Sequence, residues 1–539
     1  MNKVADYLKE NLRGEVSADM LKRQYFSGDA SGLKQLPQII VSPYDEQDIR
    51  KVLYFSWQLA ERGKILPIVA RGAGTDMSGA TIGQSIVLNM QPHLNKILEF
   101  NDKRGLVTVE PGVNFGKLHH TLTFSHGCYI PAYPTSFAFS TIGGAIANNC
   151  GGVRSLQNGP MINFVRSLRV VLANGDIIET KRITKKEVSK KMGLTSFEGE
   201  IYRAVDALIN DNHEAINNMT VLGRGGVGYN IKNVRADNGS VDLTPLFVGS
   251  QGTLGVVVKS DIATSKYRPG SRSLMFLLRD RSALGDLVKE LKKNDCLSID
   301  YFDSSILKLA RQDHPGLFVK EFGEELHAGV LLAEFPNNSN RSHDRLSRKL
   351  IKKVVEIGVS LVEQEDEDLE YVAERLRNLP HDILTQQFGS TRLVPGIDDA
   401  TVSPDSINDF LVAAESLFKR LAMLVVVHAR AGDGYIHAYP LIDLSQLGDR
   451  QKLLKLQQEY YKLVLEFGGS VVGEHCSGRI RGAFAQAQLG DALYGVMHRI
   501  KQIFDQYGIL NPGVKIEVDQ KSMLGILSTD FEIPQLYQN

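Results

Sequence analysis

Arg71-Gly72-Ala73-Gly74-Thr75-Asp76-Met77-Ser78-Gly79 follows directly on the short apolar run Ile65-Leu66-Pro67-Ile68-Val69-Ala70. Alternating glycines let successive backbone N–H groups converge on an anion, and Thr75 and Ser78 add hydroxyl donors; that is the chemistry a diphosphate requires. A second segment runs from Pro134-Thr135-Ser136 to Thr141-Ile142-Gly143-Gly144-Ala145-Ile146-Ala147-Asn148-Asn149-Cys150-Gly151-Gly152, small enough for close backbone approach to a flat ligand. The third is Gly249-Ser250-Gln251-Gly252-Thr253-Leu254-Gly255-Val256-Val257. Any one of them is most simply a structural turn. Three in one chain are far more specific for a nucleotide-like cofactor.

Around these segments the chain is ordinary in composition. Its 539 residues are 43% hydrophobic, with 62 basic and 62 acidic side chains and no net charge. At about 150 residues per domain the length predicts roughly two to four domains. A nucleic-acid-binding protein would show a basic excess, so nucleic acid is not the expected partner. The longest apolar run, Leu421 to Val427, is far too short to span a bilayer and reads as a buried strand. The start, Met1-Asn2-Lys3-Val4-Ala5-Asp6, has no apolar signal core, so a cytoplasmic place is expected, with peripheral contact at the inner membrane face left open. Cys128, Cys150, Cys296 and Cys476 form no CxxC pair, which predicts buried, reduced thiols rather than disulfides, a zinc site or a cluster.

Helical periodicity is expected from Asp45 to about Gly63 and over 195–218, 284–293, 345–356, 405–421, 449–466 and 490–505. Gly223-Arg224-Gly225-Gly226-Val227-Gly228 satisfies GxGxxG. It lacks the preceding strand and following helix that a dinucleotide fold demands, and reads as a flexible loop.

Two further motifs lie near the C-terminus: Ala431-Gly432-Asp433-Gly434-Tyr435-Ile436-His437 and Gly473-Glu474-His475-Cys476-Ser477-Gly478, followed by Phe504-Asp505 through Gly508-Ile509-Leu510-Asn511-Pro512-Gly513. With the three glycine segments, their order resembles the FAD-binding oxidoreductases of the vanillyl-alcohol oxidase and p-cresol methylhydroxylase (PCMH) type, in the D-lactate dehydrogenase and glycolate oxidase branch, over roughly residues 36 to 516. The resemblance implies an α+β fold: an N-terminal extension over 1–35, a two-subdomain PCMH-type FAD-binding domain over 36–268, an α+β substrate (cap) domain over 269–516 whose C-terminal helical segment returns to the FAD domain, and a tail over 517–539. By the same resemblance Arg71, Gly72, Ala73, Gly74, Thr75, Asp76, Ser78 and Gly79 would wrap the FAD pyrophosphate. Pro134, Thr135, Ser136, Thr141, Gly143, Gly144, Ala147 and Asn148 would line the flavin, and Gly249, Gly252, Thr253, Gly255, Val256 and Val257 would complete the adenine and ribose cleft.

His437, Glu474 and His475 stand where members of the branch hold a divalent metal and the catalytic base. The residue seven before His437, a metal ligand in such members, is Arg430 here, and a guanidinium cannot coordinate a cation. Arg430 is therefore expected to stand in for the metal's charge, with His428 on the same strand face as a rescue ligand. The His428-Ala429-Arg430-Ala431-Gly432 string is similar to that of the large D-2-hydroxyglutarate dehydrogenase relatives with a fused iron–sulfur domain, whose cluster cysteines are not found after Asn511. Cys476 replaces a glycine usual in the family. Arg377, in Glu374-Arg375-Leu376-Arg377-Asn378, resembles the arginine that binds the substrate carboxylate; no lysine follows near Asp398-Asp399-Ala400 to take a second one.

The expected activity is oxidation of a D-lactate-like D-2-hydroxy acid to the 2-oxo acid by hydride transfer to flavin. His475 would be the base, Glu474 its support, and Arg377 and Arg430 the carboxylate clamp. Electrons would leave to a quinone, a cytochrome, an electron-transfer flavoprotein or an iron–sulfur subunit. The alternatives are a D-2-hydroxyglutarate dehydrogenase and a non-catalytic flavoprotein subunit of a multi-subunit glycolate or lactate oxidase.

Overall fold

The computed structural model describes residues 3–530 apart from 221, 224, 269, 325–327, 337–347, 349, 351, 355 and 363–365. The chain divides into two units: Met1–Gly152 with Pro160–Tyr267 and His475–Asn539, and Val153–Gly159 with Arg268–Glu474.

In the first unit Ile39–Ser42, Ile86–Asn89 and Ile68–Arg71 pair in parallel, and Glu15–Ser17 adds an antiparallel edge. Residues 39–41 and 86–88 are fully buried, as expected of parallel strands covered on both faces. The helix Glu46–Glu61 makes the crossover. Asp45 caps it by accepting from the N–H groups of Gln47 and Asp48, and Ile49, Val52, Leu53 and Ala60 form its buried stripe. The glycine loop Gly72 to Gly79 starts at the C-terminal end of Ile68–Arg71, where open parallel sheets bind ligands. The rest of the unit holds a five-stranded antiparallel sheet in the order Ile97–Asn101, Leu106–Val109, Val256–Ala263, Val165–Val171, Ile177–Thr180. Its central strand is the one the third glycine segment feeds.

The second unit is built on a sheet of nine described strands. At its centre Gly329–Pro336, Ser298–Asp303, Val425–Arg430 and Tyr435–Ile442 lie side by side, and Asp399–Thr401 pairs with the last. The register pairs Ser298 with Glu334, Phe302 with His428, His428 with His437, and Asp399 with His437. Cross-strand partners share a face and side chains alternate, so Glu334, Ser298, Asp300, Arg430, His428, His437 and Asp399 form one polar row on one face of this sheet. The helix Asp366–Thr385 carries Arg377; its Glu370 accepts from the N–H (2.7 Å) and hydroxyl (3.0 Å) of Ser273.

Several expectations need correction. The helix expected over 195–218 is two, Phe197–Asp211 and His213–Asn217, parted at Asn212, whose φ of −121° leaves the helical range while its side chain donates to the Leu208 carbonyl. The helix expected from 490 begins at Ala485, and Gly490, at φ 71°, kinks it. The apolar run from Leu421 is not one strand: Ala422 takes a φ of 50°, Leu424 is 52% exposed, and the strand starts at Val425. The helix expected over 345–356 lies largely outside the described residues, as does the end of the tail. All four cysteines are buried free thiols. Among the described residues no helix is long and apolar enough to cross a membrane.

Candidate active site

In the first unit the three glycine segments meet at one side chain. Gln251, at φ 54°, donates from Nε2 to the Ser78 hydroxyl and to Asn148 Oδ1, each at 2.9 Å, and accepts at Oε1 from the Gly478 N–H at 2.9 Å. Its backbone N–H reaches the Ala147 carbonyl and its own carbonyl accepts from Asn511. Asp76 shapes the first loop from inside. Its carboxylate accepts from the N–H groups of Ser78 (3.0 Å) and Ala80 (2.8 Å), from the Ser78 hydroxyl, and from Asn148 Nδ2 at 3.0 Å.

With Asp76 turned inward, no described residue accepts a hydrogen bond from the N–H of Gly72, Ala73, Gly74, Thr75, Asp76 or Met77. Ala73, Gly74 and Asp76 are buried and Gly72, Thr75 and Met77 half-buried; buried N–H groups seldom stay unmatched, and consecutive free donors are the donor set of an anion cradle. Gly74 holds a φ of 77°, and a Cβ on it would lie 2.2 Å from the Arg71 guanidinium; a Cβ on Gly72 would strike the Thr141 hydroxyl at 2.1 Å. The loop is thus pressed against Thr141, which caps the short helix Ile142–Ala147 through the Gly144 N–H. Arg71 is buried beside Phe26, and Arg479 is held by the carbonyls of Ile82, Pro512 and Gly513. Burial pushes Arg479 down to about 10 against the pull of Asp29 and Asp76. Burial, with Asp76 beside it, raises the Asp29 carboxyl to about 6. These residues fit the diphosphate of FAD.

The other residues expected at the cofactor lie close by in different roles. Pro134 and Ser136 build a turn in which their carbonyls accept from Phe137 and Ser140, and Thr135 is exposed. Gly143 donates to the Pro111 carbonyl. Thr253 is fully buried, its hydroxyl shared between the Ser250 carbonyl and Tyr229. Gly255, Val256 and Val257 lead into the central strand against Val170 and Val171. Cys476 is buried, its thiol 3.5 Å from the Asn148 carbonyl. In the GxGxxG segment, whose Arg224 lies outside the described residues, the Gly226 carbonyl accepts from the Ser477 hydroxyl (3.0 Å) and from the buried Lys515 ammonium (2.9 Å).

In the second unit the polar row becomes a chain of ion pairs. Arg154 Nη2 lies 2.6 Å from Glu334 Oε1, and Arg377 Nη2 lies 3.2 Å from Glu334 Oε2. Arg377 Nε is 3.5 Å from Asp300 Oδ2, whose other oxygen is 3.4 Å from Arg430 Nη1. Arg430 Nε then meets Glu474 Oε1 at 2.6 Å, and Glu474 Oε2 lies 3.5 Å from His437 Nε2. His437 Nδ1 ends the chain at Asp398 Oδ1, 3.2 Å away, while its ring stacks on His428 at 4.5 Å and 9°.

Burial alone would lower the His437 pKa, but its hydrogen bonds to Asp398 and Glu474 outweigh that and lift it to about 9, so the ring is an imidazolium at neutral pH. His428 goes the other way: burial first, then the charges of His437 and Arg430, hold it well below the usual histidine value. Burial raises Asp300 despite Arg430 and Arg377; Glu334, though buried, is kept below the ordinary carboxylate value by Arg377 and Arg154.

Four of the five residues expected at the reaction, Arg377, Arg430, His437 and Glu474, therefore come together in one buried cluster. The fifth, His475, half-buried, is covalently next to Glu474 and opens the last segment of the first unit. The Glu474 oxygens face Arg430 and His437. Both candidate clamp arginines already meet carboxylates. Sequence reasoning missed Arg154, Asp300, Glu334 and Asp398, and it quoted Gln251 without a role; only the Asp398-Asp399 pair was noticed, for want of a lysine. The set at 430, 437 and 474 does not fit a divalent cation, because a guanidinium rather than a lone pair faces Glu474.

The family described as FAD binding domain matches residues 37–181, and that described as FAD linked oxidases, C-terminal domain, matches residues 269–514. A D-2-hydroxyglutarate dehydrogenase of Pantoea ananatis is 26% identical over 94% of this chain and 50% of its own length, so the chain spans about half of that relative. The glycolate oxidase subunit GlcD of Bacillus subtilis is 25% identical over 93% of both chains, and a D-lactate dehydrogenase of Anaerostipes hadrus is 24% identical over 89% of this chain and 90% of its own. The solved structure of p-cresol methylhydroxylase with substrate bound superposes with a TM-score of 0.65 at 15% identity, over 96% of this chain and 97% of that one, which speaks for the fold. With a diphosphate cradle at the end of a parallel sheet and both halves of the family matched, the chain belongs to the FAD-linked oxidoreductases of the vanillyl-alcohol oxidase and p-cresol methylhydroxylase type, in the branch that includes these dehydrogenases.

Proposed function

We propose that this chain oxidises a D-2-hydroxy acid of the D-lactate kind to its 2-oxo acid and passes the electrons to an external acceptor. The observation that carries this is the meeting of Arg377, Arg430, His437 and Glu474 in one buried cluster. The relatives' names, a 2-hydroxyglutarate dehydrogenase, a glycolate oxidase subunit and a D-lactate dehydrogenase, share a 2-hydroxy acid as their subject.

FAD, held on the N–H groups of Gly72 to Met77, supplies the acceptor for the hydride. The protein's own residues do the rest. Arg377 and Arg430 fix the substrate carboxylate, and the exchange costs little reorganisation because Asp300 and Glu334 already hold both guanidiniums in place. His437, an imidazolium between Asp398 and Glu474, has no lone pair for a proton, so the hydroxyl proton goes to His475. No lysine follows near Asp398-Asp399-Ala400 to take a second substrate carboxylate, which favours a monocarboxylate.

Dye-linked turnover of a panel of D- and L-2-hydroxy acids tests the reading. D-Lactate is expected to be turned over ahead of D-2-hydroxyglutarate, and His475→Asn to lose about 10²–10⁴-fold in kcat while keeping its flavin. Full activity in His475→Asn, or turnover of L-acids alone, would contradict it.

A further inference from the structure

We propose that the Arg430 guanidinium holds the place of a divalent cation against Glu474, so that this cluster works without a bound metal and gains a metal site when Arg430 is replaced by histidine. The inference deepens the reading above of this cluster as the substrate end of the site, but its observations are those of the cluster alone.

Arg430 Nε lies 2.6 Å from Glu474 Oε1 and Nη1 lies 3.4 Å from Asp300 Oδ1. One planar cation thus bridges two buried carboxylates, the charge arrangement a metal ion would otherwise provide. A divalent ion binds a carboxylate oxygen at about 2.0–2.2 Å. On Glu474 it would have to lie against a guanidinium that cannot lose its proton. His437 is flanked in the same way: Nδ1 lies 3.2 Å from Asp398 and Nε2 3.5 Å from Glu474, so a carboxylate stands beside each nitrogen where a coordinated ion would have to sit.

Replacing Arg430 alone would change this balance. Arg430 pairs with Tyr435, two residues before His437 on the neighbouring strand. The two positions are therefore diagonal neighbours on one sheet face, about 7–8 Å apart, from which two imidazoles can reach a common ion. Arg430→His would remove the blocking charge and leave Glu474 and Asp300 with no counter-cation from that position. The rival place for a cation is Asp398, Asp399 and His437, whose ligand atoms lie within 4.8 Å of one another. Asp398 there already accepts from His437 and from the Tyr439 hydroxyl.

The test is cobalt titration of the flavin-loaded protein after dialysis against a chelator, read by metal content and by the visible d–d bands that zinc lacks. The unaltered chain is expected to retain less than about a tenth of an equivalent, and Arg430→His to take up roughly one equivalent with tetrahedral-type bands that vanish when His437→Ala is added. Roughly one cobalt in the unaltered chain, lost in Glu474→Gln or Asp399→Asn, would overturn the proposal; the second variant would place the ion on the rival group. No uptake by a flavin-retaining Arg430→His would overturn it too. If that variant does not keep its flavin, the unaltered chain decides alone. Metal content is read on protein that need not turn over, so failure of the hydroxy-acid reading and failure of this one are separately visible.

Discussion

His437 shows how far neighbours can override burial at a single residue. Its ring is 2% exposed, yet two carboxylates lift its pKa from 6.5 to about 9. A group raised in the folded state adds stability that is fully present below its unfolded value and is lost as pH rises through its folded value. Here that window runs from about 6.5 to about 9, and the shift corresponds to roughly 3 kcal/mol. Thermal unfolding between about pH 6 and 9.5 is therefore expected to show falling stability in the unaltered protein, with this component of the slope gone in His437→Gln. Parallel curves would contradict the assignment. That His437 belongs to a site was legible from the glycine-rich motif before it. Its protonation state was not, because Asp398 comes from 39 residues earlier and meets it only through strand pairing.

At the scale of elements, the glycine segments were visible in the chain because each breaks an apolar run at a strand or helix end. Their meeting point was not. Gln251 joins Ser78, Asn148 and Gly478, which lie 173, 103 and 227 residues away, and no local pattern marks a side chain whose partners are all distant. Gln251→Ala removes three buried hydrogen bonds and is expected to cost about 2–4 kcal/mol and to weaken flavin retention. Denaturant unfolding, with flavin content measured on the same samples, checks both. Intact flavin binding with unchanged stability would rule Gln251 out as the organiser of the loops. The polar row in the second unit escaped for the same reason. Asp300 and Glu334 sit on strands that read as plain buried runs, Ser298–Asp303 and Gly329–Pro336, and only register places their carboxylates opposite the arginines. Where periodicity did mislead, at Asn212, Gly490 and Ala422, a single residue took a backbone angle that apolar spacing cannot report.

For the whole molecule, two units divide the work. The first offers a diphosphate cradle of uncommitted N–H groups, and the second a cluster in which Arg154, Arg377 and Arg430 each meet a carboxylate. Removal of a hydride from a D-2-hydroxy acid is the step proposed for this chain. The measurement that tests it most directly is an anaerobic titration of the purified, oxidised protein with D-lactate, followed by its visible flavin spectrum and by assay of the 2-oxo acid formed. Loss of the oxidised-flavin absorption with equimolar pyruvate is expected, and no change with L-lactate. A yellow protein that neither D-lactate nor any other D-2-hydroxy acid bleaches would contradict it.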